Sequence, residues 1–429
     1  MITLSKIIHL LCSLLFIILP TNSLIEKTDT EILANYKTLS FLPLHVDGNH
    51  LVDTKGKIHI LHGFAQTYSP WFNERGSKWD NYNVTGCLLY NKGKIDEILN
   101  AGWKMTFVRI HLDIYWSNTP GVPVTGENDI SAFDFDRFKL YMDEVFVPMI
   151  EYIISKKLYV VIRPPGVCPK EIAVGDEYQS YLLKVWEYVA QHNKLKDNGY
   201  ILFELANEPI EIIHSEEVNE FEALRDYFQP IVNIIRQHST TIVLVPGLGY
   251  SSLFSGLKEY KFQGTNLGFA AHCYPGWFNS AYEGDEDARG YQGFKEGWEA
   301  QIGIVTKTNP VVITEMDWAP SKYDASWGKA TTGTAGGKGF GANFIKIADE
   351  SEVSWLLFTG QELLAQYDDS LPDSETFLTD PEACPRPIYR KYLEYYTKEA
   401  DNEDNNKNSA NIFIGNIYIF LLALILFYE

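Results

Sequence analysis

The stretch Tyr200-Ile201-Leu202-Phe203-Glu204-Leu205-Ala206-Asn207-Glu208-Pro209 begins as an unbroken apolar run and ends on polar groups and a proline. Continuous Leu, Ile and Phe, without apolar–polar alternation, suit a parallel strand buried on both faces, and the proline marks its end. Similar runs occur at 58–65, 105–112, 158–162, 241–245, 267–272, 311–315 and 353–358, bringing the number to eight. Longer segments with helical spacing lie between them. One is 138–154, with apolar Leu140, Met142, Val145, Phe146, Met149, Ile150 and Ile153; another is 221–235. Eight such units within about 360 residues predict an α/β fold, a (β/α)8 TIM barrel in a single domain. The competing architecture is an open doubly wound sheet. Its glycine fingerprint is missing after the first strand, and in the glycine-rich 333–341 Lys338 is followed by Gly339, so a phosphate-loop spacing fails.

Composition narrows the partners. The chain has 429 residues with 36 Lys+Arg against 56 Asp+Glu, a formal charge of -20, which excludes nucleic acid and anionic lipid as polyanion partners. At 45% hydrophobic it has ample material for one large core, and 10 Trp, 26 Tyr and 24 Phe leave flat apolar surface over for stacking on a ligand such as carbohydrate. Lys6, an apolar run from 7 to 20 and Thr21-Asn22-Ser23 read as a secretory signal peptide over 1–23. Export would leave Cys87, Cys168, Cys273 and Cys384 in an oxidising compartment, with one or two disulfides of open pairing, and would make Asn83-Val84-Thr85 a glycosylation sequon. Beyond the domain at 40–397, a polar spacer at 398–411 precedes an apolar segment at 412–429 with no basic flank. That pattern predicts a C-terminal anchor signal with lipid attachment near Asn408 to Ala410; a short spanning helix is the alternative. The expectation is a secreted or cell-surface monomer that meets the membrane only through this anchor.

In a barrel the working groups stand where strands end. The fourth run ends in Asn207-Glu208 and the seventh in Thr314-Glu315. A carboxylate at an apolar barrel mouth loses hydration unless a partner or a function holds it there, and two of them invite an acid/base reading. Neither an H-E-x-x-H nor paired C-x-x-C motif occurs, and His59 and His62 read as structural, so no metal and no cofactor is expected.

Asn207-Glu208-Pro209, then Glu315 three strands later, with Arg109 in Val108-Arg109-Ile110-His111 and His272 and Tyr274 in Ala271-His272-Cys273-Tyr274-Pro275, resembles glycoside hydrolase family 5 of clan A over about residues 50–395. The resemblance implies Glu208 as acid/base and Glu315 as nucleophile, the pair that retaining cleavage of a β-glycoside needs. Arg109 would hold Glu315 ionised, Tyr274 would donate its hydroxyl to Glu315, His272 would orient the pair, and Asn207 would bind the sugar 2-hydroxyl. Where family members commonly carry a histidine at the end of strand three this chain has Arg163-Pro164-Pro165-Gly166, which leaves that sugar contact to Arg163 or His111. For the aromatic beneath the sugar on strand eight the candidates are Trp355 and Phe358. Trp318, like Trp71, Trp79, Trp116, Trp277 and Trp327, follows a strand end and is a stacking candidate, whereas Trp103, Trp186 and Trp298 read as core. Glu204 reads as a buried, paired structural acid and Asp317 as a rim residue. The implied activity is a retaining endo-β-1,4-glucanase on a β-linked polysaccharide. The same mechanism on β-mannan, mixed-linkage or β-1,3-glucan is the alternative. A non-catalytic carbohydrate-binding surface protein is the other class, and loss of one glutamate would be its sign; both are present.

Overall fold

The computed structural model describes residues 40–66, 83–164, 166–280, 290–316, 340–358, 389 and 391–398. Eight parallel strands close into a barrel: β1 (His62–Gln66), β2 (Phe107–His111), β3 (Tyr159–Arg163), β4 (Ile201–Glu204), β5 (Ile242–Pro246), β6 (Leu267–Cys273), β7 (Val311–Met316) and β8 (Ser354–Leu357), which pairs back onto β1. The predicted (β/α)8 barrel is therefore the fold, and each of the eight apolar runs overlaps a barrel strand. The runs are continuous because helices cover the outside while side chains fill the inside. Phe107, Tyr159, Val161, Leu202, Ile242, Leu244, Ala270, Val312, Leu356 and Phe358 belong to one buried cluster, which Leu44, Leu51 and Leu61 extend.

The first run differs from its reading as one strand. Ile58–His59 pairs antiparallel with His50–Asp53, which pairs with Leu44–Asp47, so these residues form a small sheet outside the barrel. His59 Nε2 lies 3.0 Å from Asp53 Oδ2, and His62 packs edge-on against Trp355. Gly63 on β1 sits where a Cβ would lie 2.1 Å from the Phe107 carbonyl oxygen, so close strand approach fixes glycine there.

The helices are built as their spacing suggests. The one at Glu220–Arg236 starts on Asn219, whose side chain accepts from the Phe221 amide at 2.9 Å, and buries Leu224, Phe228, Ile231 and Ile235. The segment read as one helix from 138 runs as α-helix Phe135–Tyr141, a π-helical stretch Met142–Phe146 and α-helix Val147–Ser155. Leu140, grouped with its apolar face, is 42% exposed. It stands two residues from both Phe138 and Met142, which at about 100° per residue turns it to the opposite side.

Trp116 is likewise a correction: it is fully buried and stacks on Tyr141 with ring centroids 5.7 Å apart, so it is core and not a rim platform. Trp103, Trp186 and Trp298 are buried as expected. Cys87, Cys168 and Cys273 are buried free thiols. Among the described residues no helix is long and apolar enough to cross a membrane. The signal segment, Cys384, the polar spacer beyond 398 and the C-terminal apolar segment lie outside the described residues. Leu393–Lys398 lies beyond the compact unit Ser40–Tyr392 and carries its own Lys398–Glu394 ion pair. Because phase alone separates neighbours in this region, Phe138→Ala should cost about 3–5 kcal/mol in urea unfolding and Leu140→Ala under about 1 kcal/mol. Equal losses would contradict the assigned faces.

Candidate active site

The ends of β4 and β7 converge on one guanidinium. Arg109, on β2 and 1% exposed, donates from Nε to Glu204 Oε2 at 2.7 Å and from Nη2 to Glu204 Oε1 at 2.8 Å. Nη1 donates to Glu315 Oε1 at 2.8 Å and Nη2 to Asn207 Oδ1 at 2.7 Å. Such charge-assisted bonds are the strong kind, and the planar fork suits a carboxylate edge. Glu204 is the buried, paired acid that its position suggested. Thr314 Oγ1 also donates to it at 3.0 Å. Because Asn207 turns its oxygen to Arg109, its Nδ2 donors face away from that guanidinium.

Glu315 reaches this cluster through a bulge. Ala271 pairs with Ile313 but His272 pairs with Glu315, so Thr314 is an extra residue in β7. A bulge re-aims side chains, and here Thr314 and Glu315 in succession both meet inward-facing partners. Tyr274 donates its hydroxyl to Glu315 Oε2 at 2.5 Å. His272 Nδ1 lies 3.0 Å from Glu208 Oε1 and 3.5 Å from Glu315 Oε2, while Nε2 is 3.9 Å from Glu204 Oε1. Glu208 takes φ of +57°, a left-handed conformation that a glutamate adopts only when its surroundings impose it. Its side chain is 19% exposed against 6% for Glu315.

The charges are settled by these contacts. Burial works against ionised Glu315, yet His272, Arg109, Arg163 and the Tyr274 hydroxyl outweigh it and hold its carboxyl down at about 2. Burial likewise opposes charge on His272, but Glu315, Glu204 and Glu208 raise it to about 9. Glu204 is lowered, Arg109 and His272 overcoming its burial. Donor atoms of Glu208, His272 and Glu315 lie within 4.8 Å of one another. That spacing could suit a metal ion, but a cationic imidazole offers no lone pair and Arg109 already occupies Glu315, so the donor set is ill-matched to one.

Not every predicted site residue joins. Trp355 is a correction: it is fully buried and packs against Tyr392, Phe344 and His62 outside the barrel interior, so it cannot stack on substrate. It pairs with Ile313, whereas Leu356 and Phe358, on the other phase, join the interior cluster. Trp277 is half-buried beside Tyr274, ring centroids 5.3 Å apart. The backbone of His111 pairs with Arg163, but its side chain, like Trp318, Trp71, Trp79, Trp327 and Asp317, lies outside the described residues. Asn83 is exposed and caps the helix Val84–Asn100, accepting from the Gly86 amide at 2.9 Å. Sequence reading missed Thr314, which shows only through the bulge, and Glu127, which approaches Arg163 from an irregular segment with no motif.

A parallel eight-stranded barrel with opposed glutamates at its mouth, one ionised by arginine and histidine, marks the class as a glycoside hydrolase. The chain belongs to glycosyl hydrolase family 5: the family model described as Cellulase (glycosyl hydrolase family 5) matches residues 72–361. An endoglucanase of Bacillus sp. is 23% identical over 229 residues, 50% of this chain and 22% of its own length, so the chain spans about a fifth of that curated relative. Among solved structures, the native β-glucanase of Saccharophagus degradans superposes with a TM-score of 0.53 at 16% identity, covering 85% of this chain and 97% of that one. The same enzyme in complex with cellotetraose gives 0.54 at 15%, covering 84% and 98%. A structure from Cytophaga hutchinsonii gives 0.53 at 17%, covering 87% and 99%. At these identities the structures speak for the fold alone.

His272 also gives the site a pH signature. Its folded pKa is raised from 6.5 to about 9, so its stabilising charge is fully present below 6.5 and is lost as pH rises towards 9. Across that window the wild type should lose about 3 kcal/mol more unfolding free energy than His272→Asn. Parallel pH–stability curves would contradict a charged His272.

Proposed function

We propose that the chain is a retaining endo-β-1,4-glucanase in which Glu315 is the nucleophile and Glu208 the acid/base. The observation that carries this reading is the spacing: carboxylate atoms of Glu208 and Glu315 lie within 4.8 Å of each other. Retaining enzymes hold their carboxyls about 5–5.5 Å apart, whereas inverting ones need about 6.5–9.5 Å to admit a water between. Glu315, kept ionised, attacks the anomeric carbon as Glu208 gives its proton to the departing glycosidic oxygen. Water then enters on the vacated side, Glu208 takes its proton, and the oxygen displaces Glu315. Arg109 and Tyr274 hold both Glu315 oxygens, which fixes the direction of attack. Asn207 is set to bind the 2-hydroxyl, where contacts strengthen toward the transition state.

Similarity to an endoglucanase and to a β-glucanase bound to cellotetraose supports a β-glucan as substrate. Reducing ends released from soluble β-1,4-glucan, mixed-linkage glucan, β-1,3-glucan and β-mannan test that choice, and fastest cleavage of mannan or β-1,3-glucan would overturn it. Glu315→Ala and Glu208→Ala should each lower polysaccharide hydrolysis about 1,000-fold or more. Glu208→Ala alone should keep part of its rate on an activated aryl glycoside, because a good leaving group needs little protonation. Proton NMR of the first product should show the β-anomer; first appearance of the α-anomer would refute double displacement.

A further inference from the structure

The fifth unit of the barrel is built without a full helix. Glu220–Arg236 follows β4 and Gly290–Ala300 follows β6. Residues 247–266 are all described, and they hold only a four-residue helical turn, Leu248–Ser251, and a 3-10 turn, Ser255–Lys258, before an irregular strap runs to β6. Parallel strands need cover on both faces, so the outer wall is thinly clad here, and a cavity of about 180 Å3 remains. Its floor is Val245, Leu267 and Phe269, the outward neighbours of Leu244 and Ala270 in the barrel interior. Leu257 and Phe262 line one side, Ile304 and Val305 the other. Leu267 opens β6, and the lining residues Thr308 and Asn309 stand just ahead of β7, so the cavity lies toward the strand starts, at the far end from Glu315.

Its walls are tied in place. Gln229 accepts from the Gln263 amide at 2.7 Å and donates to the Gln263 carbonyl at 2.9 Å, while Arg236 donates to the Thr265 and Asn266 carbonyls at 3.0 Å. Gln301 Oε1 accepts the Phe254 and Ser255 amides at 2.8 and 3.0 Å. How far an empty space can collapse depends on such ties. An apolar cavity of about 150 Å3 admits a benzene ring, so this one has room for a ring as well.

The polar lining sets the charge of an occupant. Thr308 Oγ1 donates to Asn309 Oδ1, and Asn309 Nδ2 donates to the Leu267 carbonyl, both at 2.9 Å, so these two groups are engaged within the protein. Lys258 and Lys261 are the charged lining residues, and no carboxylate is among those described. Glu259 Oε1 lies 3.9 Å from Lys258 Nζ, beyond hydrogen-bond reach. In a chain of formal charge -20, an apolar cavity whose own charges are both positive is complementary to an anion. Lysine stems cover apolar surface while their heads stay in water, which places that anion at the mouth and the apolar body inside.

We propose that this cavity on the outer wall of the fifth unit binds a small aromatic carboxylate, its ring against Phe262 and Phe269 and its carboxylate at Lys258 and Lys261. Aromatic rings favour aromatic partners, and an exposed ammonium pair gives the carboxylate hydrogen bonds without burying its charge. Binding here does not depend on what the barrel mouth hydrolyses.

Saturation-transfer NMR of 3-phenylpropanoate with the full chain tests this, against 3-phenylpropanol, which keeps the ring without the charge, and butanoate, which keeps the charge without the ring. The phenylpropanoate should bind with a dissociation constant of about 1 mM or below, and the other two about 10-fold more weakly. Lys258→Ala with Lys261→Ala should weaken phenylpropanoate about 5- to 10-fold and leave phenylpropanol unchanged. Ile304→Trp, which fills the cavity, should abolish both, with thermal unfolding followed in each variant; if that variant melts early, the lysine pair decides alone. No saturation of phenylpropanoate, equal binding of all three compounds, or full binding by the folded lysine or tryptophan variants overturns the proposal. A concentration-dependent dimer that Ile304→Trp abolishes, with no phenylpropanoate signal, assigns the cavity to a second copy of the chain and overturns it too.

Discussion

The site depends on one buried arginine. Arg109 spends four hydrogen bonds on two strand ends: both oxygens of Glu204 and the amide oxygen of Asn207 at the end of β4, and one oxygen of Glu315 on β7. Taking a guanidinium and two carboxylates out of water is costly, and only near-complete hydrogen bonding recovers it. That constraint explains Glu204, which is fully buried: it shares the charge of Arg109 with Glu315, and the raised His272 balances the second carboxylate. It also explains the orientation of Asn207, since an amide whose oxygen is claimed can present only its N–H groups elsewhere.

The position of Glu208 has a different origin. Its left-handed backbone costs about 1–3 kcal/mol, which the surrounding loops must supply. Trp186 donates to the Leu205 carbonyl at 2.9 Å, Cys168 N–H to Asn207 at 2.9 Å, and Tyr250 N–H to Pro209 at 3.2 Å. A two-stranded parallel sheet, Glu171–Ala173 with Glu211–Ile213, joins the loops after β3 and β4. The motif residue is thus clamped from the segments on both sides, which is what holds a strained backbone in place.

The barrel was legible because parallel strands buried on both faces leave continuous apolar runs, and the glutamates were legible because they end two of those runs in a recognisable order. What stayed hidden depends on phase and on long-range approach. Trp355 and Phe358 are three residues apart on a strand of period two, so they take opposite faces, and composition cannot say which is inward. Leu140 looks like its apolar neighbours until its angular position is counted. Trp116 follows a strand end, as a stacking residue would, but the short helix Ile114–Ser117, capped by Asp113, folds it back onto Tyr141. Glu127 meets Arg163 only because Gly166 admits the intervening backbone, a contact written in no local pattern.

The extra residue in β7 sets the polar cluster against strand regularity. With Thr314 counted in, Thr314 bonds Glu204 and Glu315 meets Arg109 and Tyr274, two consecutive side chains on one side of a strand that normally alternates. Thermostabilising redesign that idealises barrel strands would delete or repack such an irregularity to recover ladder hydrogen bonds. Here a perfectly pleated seventh strand could present only one of the two inward, so the gain in sheet order would be taken directly from the charge cluster around Arg109. The bulge marks the stretch of scaffold that an engineer should leave imperfect.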